Sequence, residues 1–396
     1  MAQGSSPRQP MTGCMPCLQL GPRSRLMALR LTWARPRLWR LSARAASSAG
    51  GGTQDKVHLT LPACHEVCVR ALTASGLAPA SADTIAKVIT AAERDEAHSH
   101  GLFRLPGFCR SLRSGRVRGD AQPEVRELAP SILHVDAKGA FAPVALAAGL
   151  PRLAERARSQ GVATLAVAGG LHFSALWWEA EELAAQGLAA LVFVNTVAFV
   201  APHGGRRRVF GTNPMAFAWP RPGGQPPLVW DQASSVMARG DMALAQLADH
   251  ELPPGCAVDV DGQPTTDPAR GLEGAQCTFG GAKGSNIALM VELLAAGLTG
   301  GTLSADTAVP PEAGHPGGAP TANGELIIAM DPGRFAGDGL RAERVFELIA
   351  AEADGGARLP SARRFAARAR TPEAGIWVPR EIYATIEGFL EPEAAA

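Results

Sequence analysis

The stretch VATLAVAGGLHFSALWWEAEELAAQGLAALVFVN, residues 162–195, decides the fold class. Its first part, residues 162–167, is an aliphatic run whose length and β-branched content predict a buried strand, and residues 189–195 form a second such run. Between the two runs, apolar residues recur at helical spacing over residues 175–186. A strand, a helix and a strand in succession indicate an α/β protein.

The same patterns predict further elements on both sides of this stretch. Helices are predicted over residues 58–76, 81–98, 144–159, 286–298, 343–353 and 380–390. Strands are predicted over residues 132–135, 216–219, 228–230 and 326–330, and a loop rich in Gly, Pro and Ala over residues 300–323. Ser81 is the predicted N-cap of the second helix, with Asp83 in its first turn.

The composition of the 396 residues is that of a globular protein, with 46% apolar and 19% charged residues. The 38 Lys and Arg balance 37 Asp and Glu to a net charge of +1, so no nucleic-acid partner is predicted. No apolar run approaches the ~20 residues of a membrane-spanning helix. The seven cysteines are scattered, which predicts free thiols in a reducing compartment, with neither a metal site nor a disulfide framework.

The first 54 residues differ from the rest of the chain. They contain eight arginines and no acidic residue, since Asp55 is the first carboxylate. Residues 26–41 interleave Leu, Trp and Arg as an amphipathic helix would. This is typical of an organelle transit peptide, mitochondrial more than plastid because arginine outweighs serine. The alternatives are a disordered extension or a start codon assigned too far upstream, which leaves a cytoplasmic protein. In each case residues 55–396 are the predicted catalytic body.

Common nucleotide and hydrolase motifs are absent from the sequence. There is no G-x-G-x-x-G between a strand and a helix and no G-x-x-x-x-G-K-[ST], so neither a Rossmann site nor a P-loop is predicted. His65-Glu66 lacks the following histidine of a zincin, and no G-x-S-x-G elbow is present. A nucleotide would therefore bind to an unusual fold.

Six segments, taken in their order and spacing, resemble a known family. They are SHG at 99–101 with Arg104, HFSALW at 172–177, GTNP at 211–214, Asp259 with PTTDP at 264–268, GGAKG at 280–284 and GELIIAMDP at 324–332. Over residues 57–390 the chain is similar to the malate/L-lactate/sulfolactate dehydrogenase-like oxidoreductases. The resemblance implies a non-Rossmann NAD(P)-binding α/β fold with a mixed, largely antiparallel sheet flanked by helices. Its central cofactor-binding part would span about residues 130–300.

Two features resemble one branch of that family, the Δ1-piperideine-2-carboxylate/Δ1-pyrroline-2-carboxylate reductases. Hydroxy-acid members tend to carry Gly and Tyr after the His-Phe pair of the 172–177 segment, and they often place a lysine where this chain has Asp241. The resemblance implies an NADPH-dependent reductase of cyclic imino acids that forms L-pipecolate or L-proline, and a homodimer. The alternatives are an NAD(P)-dependent 2-hydroxy-acid dehydrogenase acting on malate, lactate or sulfolactate, and a binding protein that has lost catalysis.

His100 suits proton donation, because an imidazole titrates near neutral pH and can give and regain a proton. The resemblance makes it the catalytic acid, with Ser99 and Asp241 as its charge-relay partners. Asp241 would fix the tautomer, and Ser99 would add a hydrogen bond. A nucleophilic serine is not expected, because no elbow exposes Ser99. The alternative is that Ser99-His100 merely ends the helix predicted from residue 81.

Two residues are candidate contacts for a substrate carboxylate. Arg104 lies four residues after His100, so a continuing helix would place both side chains on one face. A guanidinium fork fits a carboxylate in bidentate fashion. Thr212 resembles the second substrate contact of the family. The alternatives are a surface arginine and an ordinary Thr-Asn-Pro turn.

The resemblance also implies four cofactor segments. Two of them follow predicted strands, where backbone amides can meet a pyrophosphate, and the third supplies small residues before a predicted helix. The last carries three arginines, which suit an adenosine 2′-phosphate and favour NADPH over NADH, unless they form a solvated basic face. The residues are His172, Phe173, Ser174, Ala175 and Leu176; Trp230, Asp231 and Gln232; Ala282 and Lys283; and Arg358, Leu359, Pro360, Ser361, Ala362, Arg363 and Arg364. No role is assigned to His98, Glu179 or His203.

Overall fold

The strands of the computed structural model, which describes residues 55–172, 174–309, 321–337 and 340–391, form three sheets. In chain order the strands are β1 (Lys56–Leu59), β2 (Glu124–Ala129), β3 (Ile132–Asp136), β4 (Val162–His172), β5 (Ala189–Val194), β6 (Met215–Trp219), β7 (Leu228–Gln232), β8 (Ala257–Val258), β9 (Pro264–Thr265), β10 (Ala275–Gln276), β11 (Thr321–Met330) and β12 (Ile376–Pro379). The central sheet has the order β2-β3-β4-β11-β5-β6-β7. Only β3 and β4 run parallel in it. The predicted mixed, largely antiparallel sheet is confirmed.

Helices surround this sheet. They are α1 (Leu61–Ala74), α2 (Pro79–Arg94), α3 (Leu105–Arg113), α4 (Ala142–Gln160), α5 (Trp177–Ala184), α6 (Arg239–Leu247), α7 (Pro268–Glu273), α8 (Ala282–Glu292), α9 (Leu340–Ala351), α10 (Ala362–Ala374) and α11 (Arg380–Glu387). A π-helical turn, Leu293–Gly297, continues α8. None of the helices within the described ranges is both long enough and apolar enough to cross a bilayer.

The alternation of side chains along the strands buries both faces of the central sheet. Leu165 and Val167 of β4 belong to the larger core, which they share with α4 and α5. Ala166 between them belongs to a smaller core with Val291 of α8. Each fully buried aliphatic side chain contributes about 1.5–3 kcal/mol. Burial therefore places α4 and α5 on one face of the sheet and α8 on the other.

The two ends of the described chain meet in another core. β1 pairs with β12, so residues 56–59 form a strand, and the helix predicted from residue 58 begins only at Leu61. Thr60 caps that helix by accepting a hydrogen bond from the Ala63 N–H at 3.3 Å. The core that α1, α2, α3 and α11 share includes Phe108 and Phe141, whose ring centres are 4.7 Å apart.

The second predicted helix, over residues 81–98, is shifted toward the N-terminus. It begins at Pro79, because proline fits the first turn of a helix, and Ser81 is therefore not its N-cap. It ends at Arg94, since Glu96 takes a positive φ of 56° that no α-helix continues.

Two 3-10 turns follow α2. They are His98–His100 and Leu102–Arg104, and Gly101 separates them. The prediction that His100 and Arg104 share one face of a continuing helix is therefore wrong. The alternative in which Ser99-His100 ends the preceding helix is wrong for the same reason, because that helix has already ended.

Two elements next to the candidate cofactor segments also differ from prediction. β4 does not stop at residue 167 but pairs with β11 as far as His172, passing through Gly169 at a φ of 69°. The helix predicted over residues 286–298 instead starts at Ala282, where Gly281 has a φ of 59°. The first cofactor segment therefore begins inside a strand, and the third lies in the first turn of a helix.

Several short or polar elements escape prediction, whereas the remaining predicted helices and strands are present with bounds shifted by a few residues. The unpredicted elements are β1, β2, β12, the three-stranded sheet β10-β8-β9 and helices α3, α6, α7 and α10. Strands of two residues carry no detectable alternation. The predicted leader at 1–54, residues 310–320 of the predicted loop, and Phe173 lie outside the described residues.

Candidate active site

The predicted catalytic pair lies in the first 3-10 turn after α2. Ser99 Oγ is 3.0 Å from His100 Nδ1, which is a hydrogen bond between sequence neighbours. When the hydroxyl donates this bond, the ring carries its proton on Nε2. Ser99 is exposed and His100 is half-buried, so the pair lies at the protein surface.

A buried carboxylate, Glu93, that the sequence analysis did not single out holds this turn. Glu93 of α2 is only 4% exposed, and its Oε1 accepts a hydrogen bond from the Leu102 N–H at 2.7 Å. Its Oε2 lies 2.6 Å from His98 Nδ1, and this hydrogen bond raises the pKa of His98. A Cβ at Gly101 would lie 2.1 Å from Glu93 Oε1. Glu93 therefore contacts the turn on both sides of His100, and only glycine fits between.

Arg104 is tied to the same turn. Its Nε donates a hydrogen bond to the Ser99 carbonyl oxygen at 2.8 Å, and its guanidinium lies 5.6 Å from the ring centre of Phe103. Desolvation by the surrounding protein lowers the pKa of Arg104 to about 10, so it remains a cation at neutral pH. The candidate carboxylate-binding residue and the candidate acid therefore lie in one structural unit.

Asp241 lies in the first turn of α6, a favourable position for a negative charge. Its side chain is exposed, yet the crowded surroundings raise the pKa of its carboxyl by desolvation. It lies more than 130 residues after the 98–104 turn in the sequence. Its contact with His100 stays a prediction.

Thr212 is fixed on both sides by hydrogen bonds. Its N–H donates to Thr196 Oγ1 at 2.9 Å, and the two threonine hydroxyls are 3.2 Å apart. The Thr212 carbonyl accepts a hydrogen bond from the Ser234 N–H at 2.7 Å. The residue is half-buried, so its hydroxyl is held at a defined place near the protein surface.

A buried polar network lies directly under Thr212. Asn213, at a φ of 37°, donates from Nδ2 to the Ala288 carbonyl at 2.9 Å and to Glu292 Oε2 at 2.8 Å. Glu292 also accepts from the Ser304 N–H at 2.7 Å and from the Ser304 hydroxyl at 2.5 Å. A satisfied buried network of this kind fixes a single local structure. The sequence offered no signal for it beyond the GTNP segment.

Three of the four predicted cofactor segments converge at one place. Arg364 of α10 lies with its guanidinium 4.4 Å from the ring centre of Trp177, the first residue of α5. Its Nη1 is 4.0 Å from Asp231 Oδ1 at the end of β7. Desolvation raises the pKa of Asp231, although Arg364 and a hydrogen bond from the Trp177 backbone oppose this, and 31% of the side chain stays exposed.

The segment that precedes α10 is anchored on β7. Ser361 Oγ donates to the Val229 carbonyl oxygen, and Arg364 Nη2 donates to Ser361 Oγ at 2.6 Å. Arg364 is thereby engaged within the protein, whereas Arg358 and Arg363 are exposed. Leu359, Pro360 and Ala362 lie in the same short segment.

The segment between β4 and α5 is held by a second buried carboxylate. Ser174 Oγ donates to Glu179 Oε1 at 2.6 Å, and Glu179 is fully buried. Ala175 and Leu176 are 5% and 2% exposed and belong to the larger core. Their side chains therefore pack inward, so that the backbone is the part of this segment that can meet a ligand. His172 ends β4.

The third cofactor segment, Ala282 and Lys283, opens α8. Ala282 and Lys283 are exposed in its first turn, and a Cβ at Gly281 would lie 3.2 Å from His203 Cε1. The Phe279 N–H donates to the Ser234 carbonyl at 3.0 Å. Ser234 follows β7, which ends with Trp230, Asp231 and Gln232, and also binds the Thr212 carbonyl through its own N–H.

The structure thus gathers the predicted residues into two groups. Ser99, His100 and Arg104 share one turn, while the start of α5, the end of β7 and the start of α10 meet, with Ser234 linking Thr212 to α8. Within the ranges that the structure describes, no group of three or more His, Cys, Asp and Glu is arranged to hold a metal ion.

The malate/L-lactate dehydrogenase family matches residues 59–387 of the chain. The chain belongs to this family. Malate/L-lactate dehydrogenase relatives include the Δ1-pyrroline-2-carboxylate reductase of Pseudomonas fluorescens, 49% identical over 82% of this chain and 97% of its own length. The Δ1-pyrroline-2-carboxylate/Δ1-piperideine-2-carboxylate reductase of Pseudomonas aeruginosa is 45% identical over 85% of this chain and all of its own length. These matches confirm the predicted oxidoreductase class.

Solved structures of the family share the fold. The Δ1-piperideine-2-carboxylate reductase from Pseudomonas syringae pv. tomato superposes with a TM-score of 0.77 at 42% identity, covering 84% of this chain and 99% of the other. Sulfolactate dehydrogenase from Methanocaldococcus jannaschii superposes with a TM-score of 0.74 at 25% identity, over 84% and 96% of the two chains. The predicted sulfolactate dehydrogenase-like fold is confirmed.

Proposed function

We propose that this malate/L-lactate dehydrogenase family member reduces cyclic imino acids, Δ1-pyrroline-2-carboxylate to L-proline and Δ1-piperideine-2-carboxylate to L-pipecolate. The observation that carries the proposal is the hydrogen-bonded pair of Ser99 and His100 on the turn that also holds Arg104. The reductase names of relatives at 45–49% identity support the same substrates.

Reduction of the C=N bond adds a hydride to carbon and a proton to nitrogen. A bound nicotinamide cofactor supplies the hydride. Protonated His100, whose Nδ1–H donates to Ser99 Oγ, transfers its Nε2 proton to the ring nitrogen of the substrate and becomes neutral. Arg104 binds the substrate carboxylate through its terminal nitrogens, since its Nε is engaged by the Ser99 carbonyl. Thr212 orients the ring, and Asp241 stabilises the charged imidazole.

We propose NADPH as the preferred cofactor. We assign the dinucleotide to the junction of the start of α5, the end of β7 and the start of α10, here named the cofactor recess, because strand ends and helix starts meet there beside exposed cations. Arg358 and Arg363 are exposed and suited to an adenosine 2′-phosphate, and Lys283 in the first turn of α8 is suited to a further phosphate oxygen. Arg364 would shape the recess rather than contact phosphate, because Trp177 and Asp231 engage its guanidinium.

We also propose that the enzyme is a homodimer. The outer face of α8 and the following turn supports this, because Leu289, Leu293 and Leu298 are 45%, 58% and 66% exposed, and a second copy would bury them. Light scattering on active protein should give twice the chain mass, and replacing Leu293 with Glu should shift it toward one. A monomeric mass for fully active wild-type protein would contradict the dimer.

Residues 1–54 are proposed to be a targeting segment, on the strength of their arginine-rich, acid-free composition. Fusing residues 1–54 to a fluorescent protein tests this directly, because an organelle signal should concentrate the fluorescence in mitochondria. A diffuse signal would contradict the targeting role.

A single side-by-side assay tests the proposed reaction. NADPH oxidation is followed with Δ1-piperideine-2-carboxylate, Δ1-pyrroline-2-carboxylate, pyruvate and oxaloacetate, and then repeated with NADH. The proposal expects rapid turnover of both imines and slow turnover of the two oxo acids. Rapid turnover of oxaloacetate or pyruvate with none of the imines would make the chain a 2-hydroxy-acid dehydrogenase.

A further inference from the structure

Three helices that border the two groups of candidate site residues meet at one arginine. Arg368 of α10 donates from Nε to Asp95 Oδ1 at 2.9 Å and from Nη2 to Asp95 Oδ2 at 2.5 Å. Its Nη1 donates to Glu181 Oε1, and its Nη2 also reaches Glu181 Oε2 at 3.0 Å. Asp95 caps the end of α2, and Glu181 lies on α5. One guanidinium therefore binds two carboxylates in bidentate fashion.

The burial of these groups makes the arginine hard to replace. The Asp95 side chain is 0% exposed, Glu181 is 15% exposed and Arg368 is 24% exposed. Burial alone would raise the pKa of Asp95, but hydrogen bonds from Arg368 and Arg94 hold it below its usual value. Asp95 is therefore charged at neutral pH, and it shares the Arg368 guanidinium with the Glu181 carboxylate. Loss of the Arg368 cation would leave them close together without their shared partner.

Each of the three helices leads directly into a candidate site segment. Asp95 is two residues from Glu93, which holds the turn that carries His100. Glu181 lies one turn after Trp177, which follows the first cofactor segment and stacks on Arg364. Arg368 lies one turn after Arg364 and shares its helix. A displacement of any one of the three helices would change the distance between the turn at residues 98–104 and the place where α5, β7 and α10 meet.

We propose that Arg368 is a positioning residue that fixes the proton-donor turn, residues 98–104, relative to the cofactor recess between α5, β7 and α10. The inference rests on the proposed function only in assigning the cofactor to that recess. In this proposal Arg368 acts through its two carboxylate partners and not by contact with substrate or cofactor. It acts by holding α2, α5 and α10 at one junction, so that occupation of the recess also restrains the turn.

Hydrogen–deuterium exchange with and without NADPH tests the proposal apart from catalysis. In wild-type protein, NADPH should slow exchange in residues 98–104 as well as in the recess. In Arg368→Gln the slowing at 98–104 should disappear while the slowing in the recess remains, and Arg368→Lys should restore part of it. Arg370→Gln is the matched control, because Arg370 lies on the same helix and pairs with exposed Glu96. It should behave as wild type.

Kinetics give the second readout. Misplacement of a proton donor by a fraction of an ångström lowers turnover, so kcat of Arg368→Gln should fall roughly 10- to 100-fold. KM for NADPH should change less than threefold. Because loss of folded protein would also lower the apparent kcat at constant KM, kcat is expressed per folded molecule, counted by titration of NADPH-binding sites. If Arg368→Gln retains wild-type kcat and the same NADPH-dependent slowing at 98–104, the inference is wrong.

Two further measurements keep the result interpretable. If Arg368→Gln does not fold, Asp95→Asn and Glu181→Gln serve instead, because each weakens only one of the two bidentate contacts of Arg368. Each should reduce the NADPH-dependent slowing of exchange at residues 98–104 to an intermediate level. Slowing equal to that of wild type in both variants overturns the inference. If neither NADPH nor NADH binds the wild-type protein, the proposed function fails. The inference is then judged without cofactor: Arg368→Gln should speed exchange in residues 98–104 and 174–181 together, and unchanged exchange in both overturns it.

Discussion

Glu93 Oε1 accepts a hydrogen bond from the Leu102 N–H at 2.7 Å, which fastens the end of α2 to the turn that carries His100. The same carboxylate contacts His98 on the other side of His100 at 2.6 Å. The turn that carries the candidate acid His100 is therefore fixed by the buried side chain of Glu93.

Replacing Glu93 with Gln should lower turnover while leaving cofactor binding intact. The amide can still accept the Leu102 hydrogen bond, but it loses the charged partner of His98, so the turn becomes less well fixed. We expect kcat to fall about tenfold and the Kd of NADPH to stay unchanged. Glu96→Gln is the control, because Glu96 is an exposed neighbour. An unchanged kcat in Glu93→Gln would remove Glu93 from the site.

The His98–Glu93 contact predicts a pH-dependent contribution to stability. The hydrogen bond to Glu93 raises the pKa of His98 above its ordinary 6.5, with Glu96 acting in the same sense and desolvation and Lys56 in the opposite one. Protonated His98 therefore stabilises the folded state. This contribution is complete below pH 6.5 and is lost as the pH rises through the folded-state pKa.

The melting temperature of His98→Asn, measured against wild type from pH 5 to pH 9, checks this sign. The difference between the two proteins should be largest at the acidic end and should shrink as the pH rises. Other titrating groups cancel in the comparison, because both proteins share them. A difference that grows with pH would contradict the assignment.

Arg104→Lys should weaken substrate binding more than turnover. Lysine keeps the positive charge but loses the fork that binds a carboxylate through two parallel hydrogen bonds. It also loses the Nε hydrogen bond to the Ser99 carbonyl. We expect KM for the imino acid to rise roughly tenfold or more, with KM for NADPH unchanged. A selective rise in KM for NADPH would place Arg104 in the cofactor site instead.

The two neighbouring arginines of α10 should respond differently to substitution. Arg363 is exposed, so Arg363→Ser should raise KM for NADPH roughly 10- to 100-fold without affecting NADH, as expected for loss of charge-assisted hydrogen bonds to a phosphate. Arg364 stacks on Trp177 near Asp231, so Arg364→Ser should impair both cofactors and lower thermal stability. Equal effects of Arg363→Ser on NADPH and NADH would contradict the 2′-phosphate role.

The candidate catalytic, substrate-binding and cofactor-binding residues could be predicted from the sequence, but the buried carboxylates that hold them in place could not. His100, Arg104 and the cofactor segments lie in motifs whose order and spacing match those of the family. Glu93 and Glu179 do not, because a carboxylate within a helix usually faces solvent, and only the fold shows that both are buried. Asp95 and Arg368 are 273 residues apart, so no local pattern connects them.

The errors in element bounds have equally local causes. The helix predicted over residues 81–98 ends at Arg94. The positive φ of Glu96 ends it before it reaches the turn that carries His100. α10 escaped prediction because arginines occupy its inward positions 364 and 368 as well as its exposed positions 363 and 370, and because it contains Pro372. Tertiary pairing, not propensity, made a strand of residues 56–59.

The most direct test of the account is the turnover of His100→Ala with Δ1-piperideine-2-carboxylate and NADPH, measured together with the Kd of NADPH. The account predicts that kcat falls roughly 10²–10⁴-fold, because the proton donor is removed, while NADPH binds as it does to wild type. Near-wild-type turnover by His100→Ala would contradict the role of His100 as the acid and with it the proposed mechanism.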